Sequence, residues 1–347
     1  MNDLISLGYG PFFSQQLDLE ADAGLAPARV VADHGGGLEL GGFGAAATAV
    51  VPAPLRGQAA VGDWVLCERL PDGTAVLRRV LRRRSALSRQ AAGRATGEQV
   101  LAVNVDRVLV VHPLDGDEKP RRLERMLVAV RASGAEPAVL LSKADLHPDP
   151  EAVRRAVADL APGLAVLVLS SVTGAGLEAV RALIPPGSTA ALLGASGVGK
   201  STLVNALLGA AAAATGALAP DGRGRHVTTH RRLWAVPAGG WLVDGPGLRE
   251  LQLWGDGGLA PTFADVADLA SGCRFADCRH EAEPGCAVQA AVAAGALDAG
   301  RLASFQKLRG EAEALAERHG TAARQAERRQ GRVLERAIRS FQRTRGR

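Results

Sequence analysis

From Val105 to Leu208 short apolar runs alternate with stretches whose apolar positions recur every three or four residues. Val105–His112, Ala138–Leu141, Leu164–Leu169 and Ser188–Leu193 read as buried strands. Between them, Arg121–Ser133 carries Leu123, Met126, Leu127 and Val130 at helical spacing and stops at Gly134. Asp149–Ala161, Gly176–Ile184 and Lys200–Leu208 read as further helices, the second of them ended by Pro185-Pro186. A hairpin follows, Leu233–Val236 and Trp241–Val243, split by Pro237-Ala238-Gly239-Gly240. This alternation predicts a doubly wound α/β domain with a largely parallel sheet, whose ligands belong at the strand ends.

On either side the pattern changes. Upstream, Thr48–Val51, Asp63–Glu68 and Ala75–Leu77, with Pro71-Asp72-Gly73 as a turn, suit a small antiparallel barrel of the oligonucleotide-binding kind. Arg78, Arg79, Arg82, Arg83 and Arg84 at its exit would give an RNA-facing edge, although a barrel serving only as a spacer fits the same text. Downstream of about residue 287 the pattern is helical and ends in a basic tail. The expected division is a loose arm over 1–40, an OB-like barrel over 41–92, an α/β domain over 93–256 and a helical metal-binding domain over 257–347.

Length supports this count, since 347 residues exceed one ordinary domain. The net charge of +5 matters less than its placement, in the early arginines and in the tail from Arg324, where it suits a polyanion. The N-terminus shows no charged start followed by an apolar run, and no apolar run reaches membrane-spanning length, so the expectation is a soluble, cytoplasmic protein. Nothing in the text suggests an obligate dimer, and a monomer is expected.

The candidate chemistry centres on Gly194-Ala195-Ser196-Gly197-Val198-Gly199-Lys200-Ser201, which fits the phosphate-loop pattern G-x-x-x-x-G-K-[ST] between a strand and a helix. Its glycines let backbone N–H groups turn inward around a polyphosphate, Lys200 adds a cation, and Ser201, followed by Thr202, can place its hydroxyl on Mg²⁺. At one strand end Ser142-Lys143-Ala144-Asp145 resembles the guanine-reading N-K-x-D, with Ser for Asn. The Asp145 carboxylate can accept two hydrogen bonds from guanine, donors that adenine lacks. At another end Ser170-Ser171-Val172-Thr173-Gly174 resembles the S-A-x loop that meets the guanine carbonyl. A turn or helix cap accounts for either singly; with a phosphate loop in the same domain they read together as a GTP/GDP pocket.

Two segments suit switches. Residues 210–224 are small and polar and lead into Arg225-His226-Val227-Thr228-Thr229-His230, with a threonine able to reach Mg²⁺. Asp244-Gly245-Pro246-Gly247 ends an apolar strand, placing Asp244 on the magnesium side and a Gly247 N–H at the γ-phosphate. Leu248 follows, where GTPases of the Ras type carry a water-orienting glutamine. The base-reading loops precede the phosphate loop, so the domain is circularly permuted and its second switch leads straight into the C-terminal part.

That part opens with Cys273-x₄-Cys278-x-His280-x₅-Cys286. Three thiolates and one imidazole satisfy the tetrahedral preference of Zn²⁺ and leave no open position, which reads as one structural ion. Unliganded core or surface residues are the alternative.

Permuted motifs, an N-terminal barrel and a Cys-Cys-His-Cys site together resemble the ribosome small-subunit-dependent GTPase A family (RsgA, also called YjeQ), over about residues 45–320. Gly62-Asp63-Trp64-Val65, Arg84-Ser85-Ala86-Leu87-Ser88-Arg89 and Asn104-Val105-Asp106 add to the likeness. The resemblance implies a GTPase that binds the small (30S) ribosomal subunit and its rRNA late in assembly and is stimulated by it. It gives Lys200 and Ser201 the phosphates and Mg²⁺, Thr228 the switch-ligand role, and His226, in a stretch like G-R-H-T-T-T, the positioning of water. Val227 and Ser142 depart from the family pattern. The other classes are an RNA-binding scaffold using GTP as an occupancy signal with little catalysis, an ATP-driven enzyme, and a redox or metal-hydrolase role for the cysteines, which lacks an open metal position.

Overall fold

The computed structural model describes residues 4–34, 37–44, 47–90, 98–114, 120–209, 231–237, 239–244 and 256–318. Five strands close the N-terminal barrel: β1 (Leu25–Asp33), β2 (Leu38–Gly41), β3 (Ala47–Val50), β4 (Trp64–Arg69) and β5 (Ala75–Val80). They run in the order β1-β2-β3-β5-β4, and β4 returns to pair with β1 from Leu25↔Glu68 to Arg29↔Trp64. The barrel is not wholly antiparallel, because β3 and β5 run parallel at Ala49↔Ala75 and Val50↔Val76.

The loose arm expected over residues 1–40 is corrected here, since it contains two barrel strands. Upstream of them, Phe13 on the one-turn helix α1 (Pro11–Ser14) and Tyr9 bury against Trp64, with ring centroids 5.6 Å and 4.8 Å from it. The sequence hides β1 because Leu-Ala-Pro-Ala-Arg-Val-Val-Ala-Asp is buried in a block from Ala28 to Ala32 instead of alternating, and that block includes an arginine.

Next comes a two-stranded ribbon, β6 (Ala86–Gln90) with β7 (Glu98–Val103), which periodicity did not reveal. The α/β domain then contributes β8 (Arg107–Pro113), α2 (Pro120–Ala132), β9 (Glu136–Ser142), α3 (Pro150–Ala158), β10 (Ala165–Val168), α4 (Leu177–Ala182), β11 (Thr189–Leu193) and α5 (Lys200–Leu208). After α5 come β12 (Arg231–Ala235) and β13 (Trp241–Asp244). Neighbours in β10-β9-β8-β11-β13 are parallel, and β12 closes antiparallel on β13. Parallel strands buried on both faces explain the continuous apolar runs of this region.

Barrel and α/β sheet are one hydrogen-bonded system, because β12 also pairs with β1 at Ala32↔Arg232 and Asp33↔Arg231. Arg29, wholly buried, crosses the same junction and donates to Thr189 Oγ1 at 2.7 Å and to the Leu7 carbonyl. Burial pulls its guanidinium down to about 10, still charged at neutral pH. Asp106 and Thr189 lock β8 to β11 from below: Thr189 N donates to Asp106 Oδ2, and Asp106 N to the Thr189 carbonyl, each at 2.8 Å. The three family-like words converge here. Asn104, at φ +53°, donates to the Gly62 carbonyl at 3.0 Å, and a Cβ on Gly62 would sit 2.1 Å from the Val103 oxygen.

The C-terminal part is built from α6 (Leu259–Thr262), α7 (Ala264–Ala270), α8 (Ala287–Ala293) and α9, helical over 299–318. Helix α2 serves two cores. Leu123, Leu127 and Val130 face the sheet, while Val128 and Ala129 pack with Leu259, Phe263 and Val266. Gly258 lies so close to α2 that a Cβ there would meet the Val128 carbonyl oxygen at 2.1 Å. Among the described residues no helix is long and apolar enough to cross a membrane.

Candidate guanine nucleotide site and metal centre

The phosphate loop follows β11 as expected and opens α5 at Lys200. Gly197 and Gly199 hold φ of +81° and +95°, and a Cβ on Gly194 would lie 2.6 Å from the Val111 carbonyl oxygen. Ser196, Gly197, Ser201 and Thr202 are exposed, so the loop presents backbone and hydroxyls to an incoming anion. Lys200 Nζ folds back over the loop, donating to the Gly194 carbonyl at 2.8 Å and to that of Ala195.

Strand β9 delivers the first base-reading word. Ser142 is buried, and its Oγ donates to the Val198 carbonyl at 2.8 Å, tying this loop directly to the phosphate loop. The Ser-for-Asn departure therefore keeps the connection between base and phosphate loops. Lys143 takes a left-handed turn at φ +61°, and Asp145 lies exposed on the following 3₁₀ turn, Ala144–Leu146. Strand β10 delivers the second word alongside: Ala144 N donates to the Leu169 carbonyl at 3.1 Å. Ser170 is buried and folds its own loop, accepting at Oγ from Thr173 N at 3.2 Å, with Ser171 half-buried beside it.

The geometry thus gathers Ser142, Lys143, Asp145, Ser170, Ser171 and the Gly194–Thr202 stretch at the C-terminal ends of β9, β10 and β11. Lys143 and residues 195–198 share a cleft of about 330 Å³ with His112, Arg122 and Met126. Arg122, on the first turn of α2, carried no motif signal and was missed from the text; only its helical register, beside Leu123, marks it as facing away from the sheet core. His226, Thr228 and Gly247 lie outside the described residues, and Asp244 enters only as the last residue of β13, in register with Arg232.

The expected RNA-facing arginines prove largely engaged within the fold. Arg78 pairs with Glu68, Arg79 with Asp22 at 2.7 Å, Arg83 bidentately with buried Asp63, and Arg84 with Asp106 at 3.0 Å. Exposed Arg82 has no ion pair among the described residues. Spacing along the chain could not show this, because the acidic partners come from distant segments.

The second candidate site comes together as its spacing suggested. The ligand atoms of Cys273, Cys278, His280 and Cys286 lie within 4.8 Å of one another. His280 Nδ1 is 3.6 Å from Cys273 Sγ and 3.5 Å from Cys286 Sγ, and those sulfurs are 3.9 Å apart. Tetrahedral zinc, with bonds of about 2.3 Å to sulfur and about 2.0 Å to nitrogen, requires roughly 3.8 Å between sulfurs and roughly 3.5 Å from sulfur to nitrogen. The donor set fits. Gln289 and Gln306, on α8 and α9, donate to the His280 carbonyl and fix the loop that carries the imidazole. Cys67 takes no part; it is buried in the barrel, where desolvation pushes its thiol up to about 12.

A sequence model of the RsgA GTPase family matches residues 80–254. A protein of Opitutus terrae, called "Small ribosomal subunit biogenesis GTPase RsgA", is 43% identical in an alignment covering 99% of each chain. The chain belongs to the RsgA GTPase family. A further RsgA relative from Vibrio parahaemolyticus, called "Small ribosomal subunit biogenesis GTPase RsgA 2", is 44% identical over 88% of this chain and 85% of its own. Among solved structures, YjeQ from Thermotoga maritima superposes with a TM-score of 0.61 at 25% identity, over 82% of this chain and 97% of that one. YloQ, described as a circularly permuted GTPase, gives 0.62 at 22% identity over 86% and 98%, a likeness of fold. RsgA membership accounts for the rotated order of the loops around the phosphate loop, and the family implies GTP or GDP and Mg²⁺ as ligands.

Proposed function

We propose that this chain is a GTPase of small ribosomal subunit biogenesis, hydrolysing GTP to GDP and phosphate with turnover stimulated by the subunit. One observation carries the reading: Ser142 of the base-reading loop is hydrogen-bonded to Val198 of the phosphate loop, although the chain order of the two is reversed relative to common GTPases. The relatives' names supply the subunit.

In this reading Asp145 accepts from the guanine edge, Lys143 lays its stem along the base, and the Ser170–Ser171 loop meets the guanine carbonyl. The N–H groups of 194–199 hold the phosphates. Lys200 exchanges its loop carbonyls for phosphate oxygens when nucleotide enters, so its cation is already in place before binding. Ser201, Thr228 and Asp244 hold Mg²⁺, which neutralises charge on the phosphate oxygens when bound. His226 positions the attacking water, since Leu248 stands where the Ras-type glutamine would be. The Cys273, Cys278, His280 and Cys286 site holds one structural Zn²⁺ that folds the loop between α7 and α8. The barrel meets rRNA through the face bearing Arg82, and the protein works as a cytoplasmic monomer.

GTP turnover of the purified protein with and without isolated small subunits tests this directly. Stimulation by the subunit, with ATP a poor competitor, is expected. Equal turnover in both conditions overturns the dependence, and turnover at background in both favours the scaffold.

A further inference from the structure

We propose that Arg122 is a cation supplied in cis to the phosphates of the bound nucleotide during hydrolysis, an extension that rests on the GTPase reading of the same site. The cleft that contains Arg122 is bounded by the tip of the phosphate loop, residues 195–198, and by Lys143, while Asp145, Ser170 and Ser171 are not part of its lining. Arg122 therefore faces the phosphate loop across this cleft. Arg122 is exposed and makes no hydrogen bond or ion pair among the described residues, whereas its neighbours Arg121 and Arg125 are held by Asp298 and Glu311. A guanidinium stays charged at any physiological pH and presents a planar fork that matches phosphate oxygens.

Helix α2 gives that side chain a fixed base. Leu123 and Leu127 lock one face against the sheet, and Glu124, fully buried, binds Arg121 at 2.6 Å and Arg301 at 2.9 Å on the other. The helix is clamped from both sides, so the backbone that carries the cation stays fixed beside the phosphate loop, and only the side chain has to reach as charge develops. In the reaction the water oxygen bonds to the γ-phosphorus while the bond from that phosphorus to the β–γ bridging oxygen breaks. The electron pair stays on the β-phosphate, and the water's protons leave to bulk solvent or to the product phosphate. Arg122 makes and breaks no bond; it offsets the charge that gathers on the departing and transferring oxygens.

The test compares wild-type protein with Arg122→Ala and Arg122→Lys in single-turnover GTP hydrolysis, with binding of GDP and of GDP with aluminium fluoride measured in parallel. Arg122→Ala is expected to lower the hydrolysis rate at least about tenfold, short of the 10³-fold or more of a full arginine finger because the side chain is exposed. GDP affinity should stay within about twofold, the aluminium fluoride complex should weaken in step with the rate, and added guanidinium should restore part of the rate to Ala but not to Lys. An unchanged rate in Arg122→Ala overturns the proposal, as does equal loss of GDP and aluminium fluoride binding. Loss of subunit affinity alone, with intrinsic turnover intact, also overturns it and makes Arg122 an RNA contact. A wild-type protein that fails to hydrolyse GTP sinks the GTPase reading itself, a distinguishable result.

Discussion

Ser142 and Val198, 56 residues apart in the chain, meet through one buried hydrogen bond of 2.8 Å from hydroxyl to carbonyl. This bond joins the end of β9 to the middle of the phosphate loop and fixes how the two halves of the nucleotide pocket face one another. Ser142→Ala removes the donor and leaves a buried carbonyl unpaired, at a cost of about 1–3 kcal/mol. Part of that loss should appear in binding: a roughly three- to tenfold drop in affinity for both GTP and GDP, measured with a fluorescent nucleotide, at unchanged preference for guanine. A change in base preference without a change in affinity would show that Ser142 reads the base itself.

Asp145 carries the base discrimination. An amide offers a donor where the carboxylate has only acceptors, so Asp145→Asn should lose guanine and gain xanthine, whose C2 oxygen can accept that donor. Competition against a labelled nucleotide is expected to show GTP weakened by at least about tenfold and xanthosine triphosphate becoming the stronger competitor. The substitution is exposed and isosteric, so fold stability should not move.

Both sites were legible because their chemistry is local in sequence. Gly194–Ser201 and Cys273–Cys286 each hold most of their donors within one short stretch, and the strand that leads into the phosphate loop, β11, is a continuous buried run. What stayed hidden depends on partners far away. Strand β1 reads as a loose arm because Arg29 breaks its apolar pattern, and that arginine is tolerated only because Leu7 and Thr189 arrive to accept from it. The Arg78–Arg84 cluster reads as a nucleic-acid edge until Asp22, Glu68, Asp63 and Asp106 are seen to pair with most of it. Arg122 sits on a helix whose register is plain, yet nothing local says that the helix borders the phosphate loop.

Removing metal from the cysteine site tests its structural role. With both Cys286 and His280 buried, the empty set leaves polar atoms facing each other in the C-terminal core, and binding free energy there is folding free energy. One zinc per chain is expected by elemental analysis of the purified protein. Cys278→Ser should lower that stoichiometry and cut helical circular dichroism from the C-terminal part, while nucleotide affinity of the α/β domain holds within about twofold. Full metal occupancy in Cys278→Ser would remove that residue from the ligand set.

Arg301 and Glu124 should prove the costliest pair to break. Arg301 is nearly buried and binds Glu124 at 2.9 Å, Asp265 at 2.9 Å and the carbonyls of Leu160 and Thr262 at 2.8 Å, with its guanidinium 4.2 Å over the Phe263 ring. Taking away the arginine leaves the buried Glu124 carboxylate, in the seam between α2 and the C-terminal helices, with Arg121 as its one remaining cation among the described residues. Arg301→Met is expected to cost about 3–5 kcal/mol in chemical denaturation followed by circular dichroism. Replacing both partners, Glu124→Leu with Arg301→Met, should recover much of that loss, because the buried carboxylate that had lost one of its two cations is then gone as well. A double variant as unstable as the arginine variant would mean that Asp265 and the two carbonyls, more than Glu124, depend on Arg301.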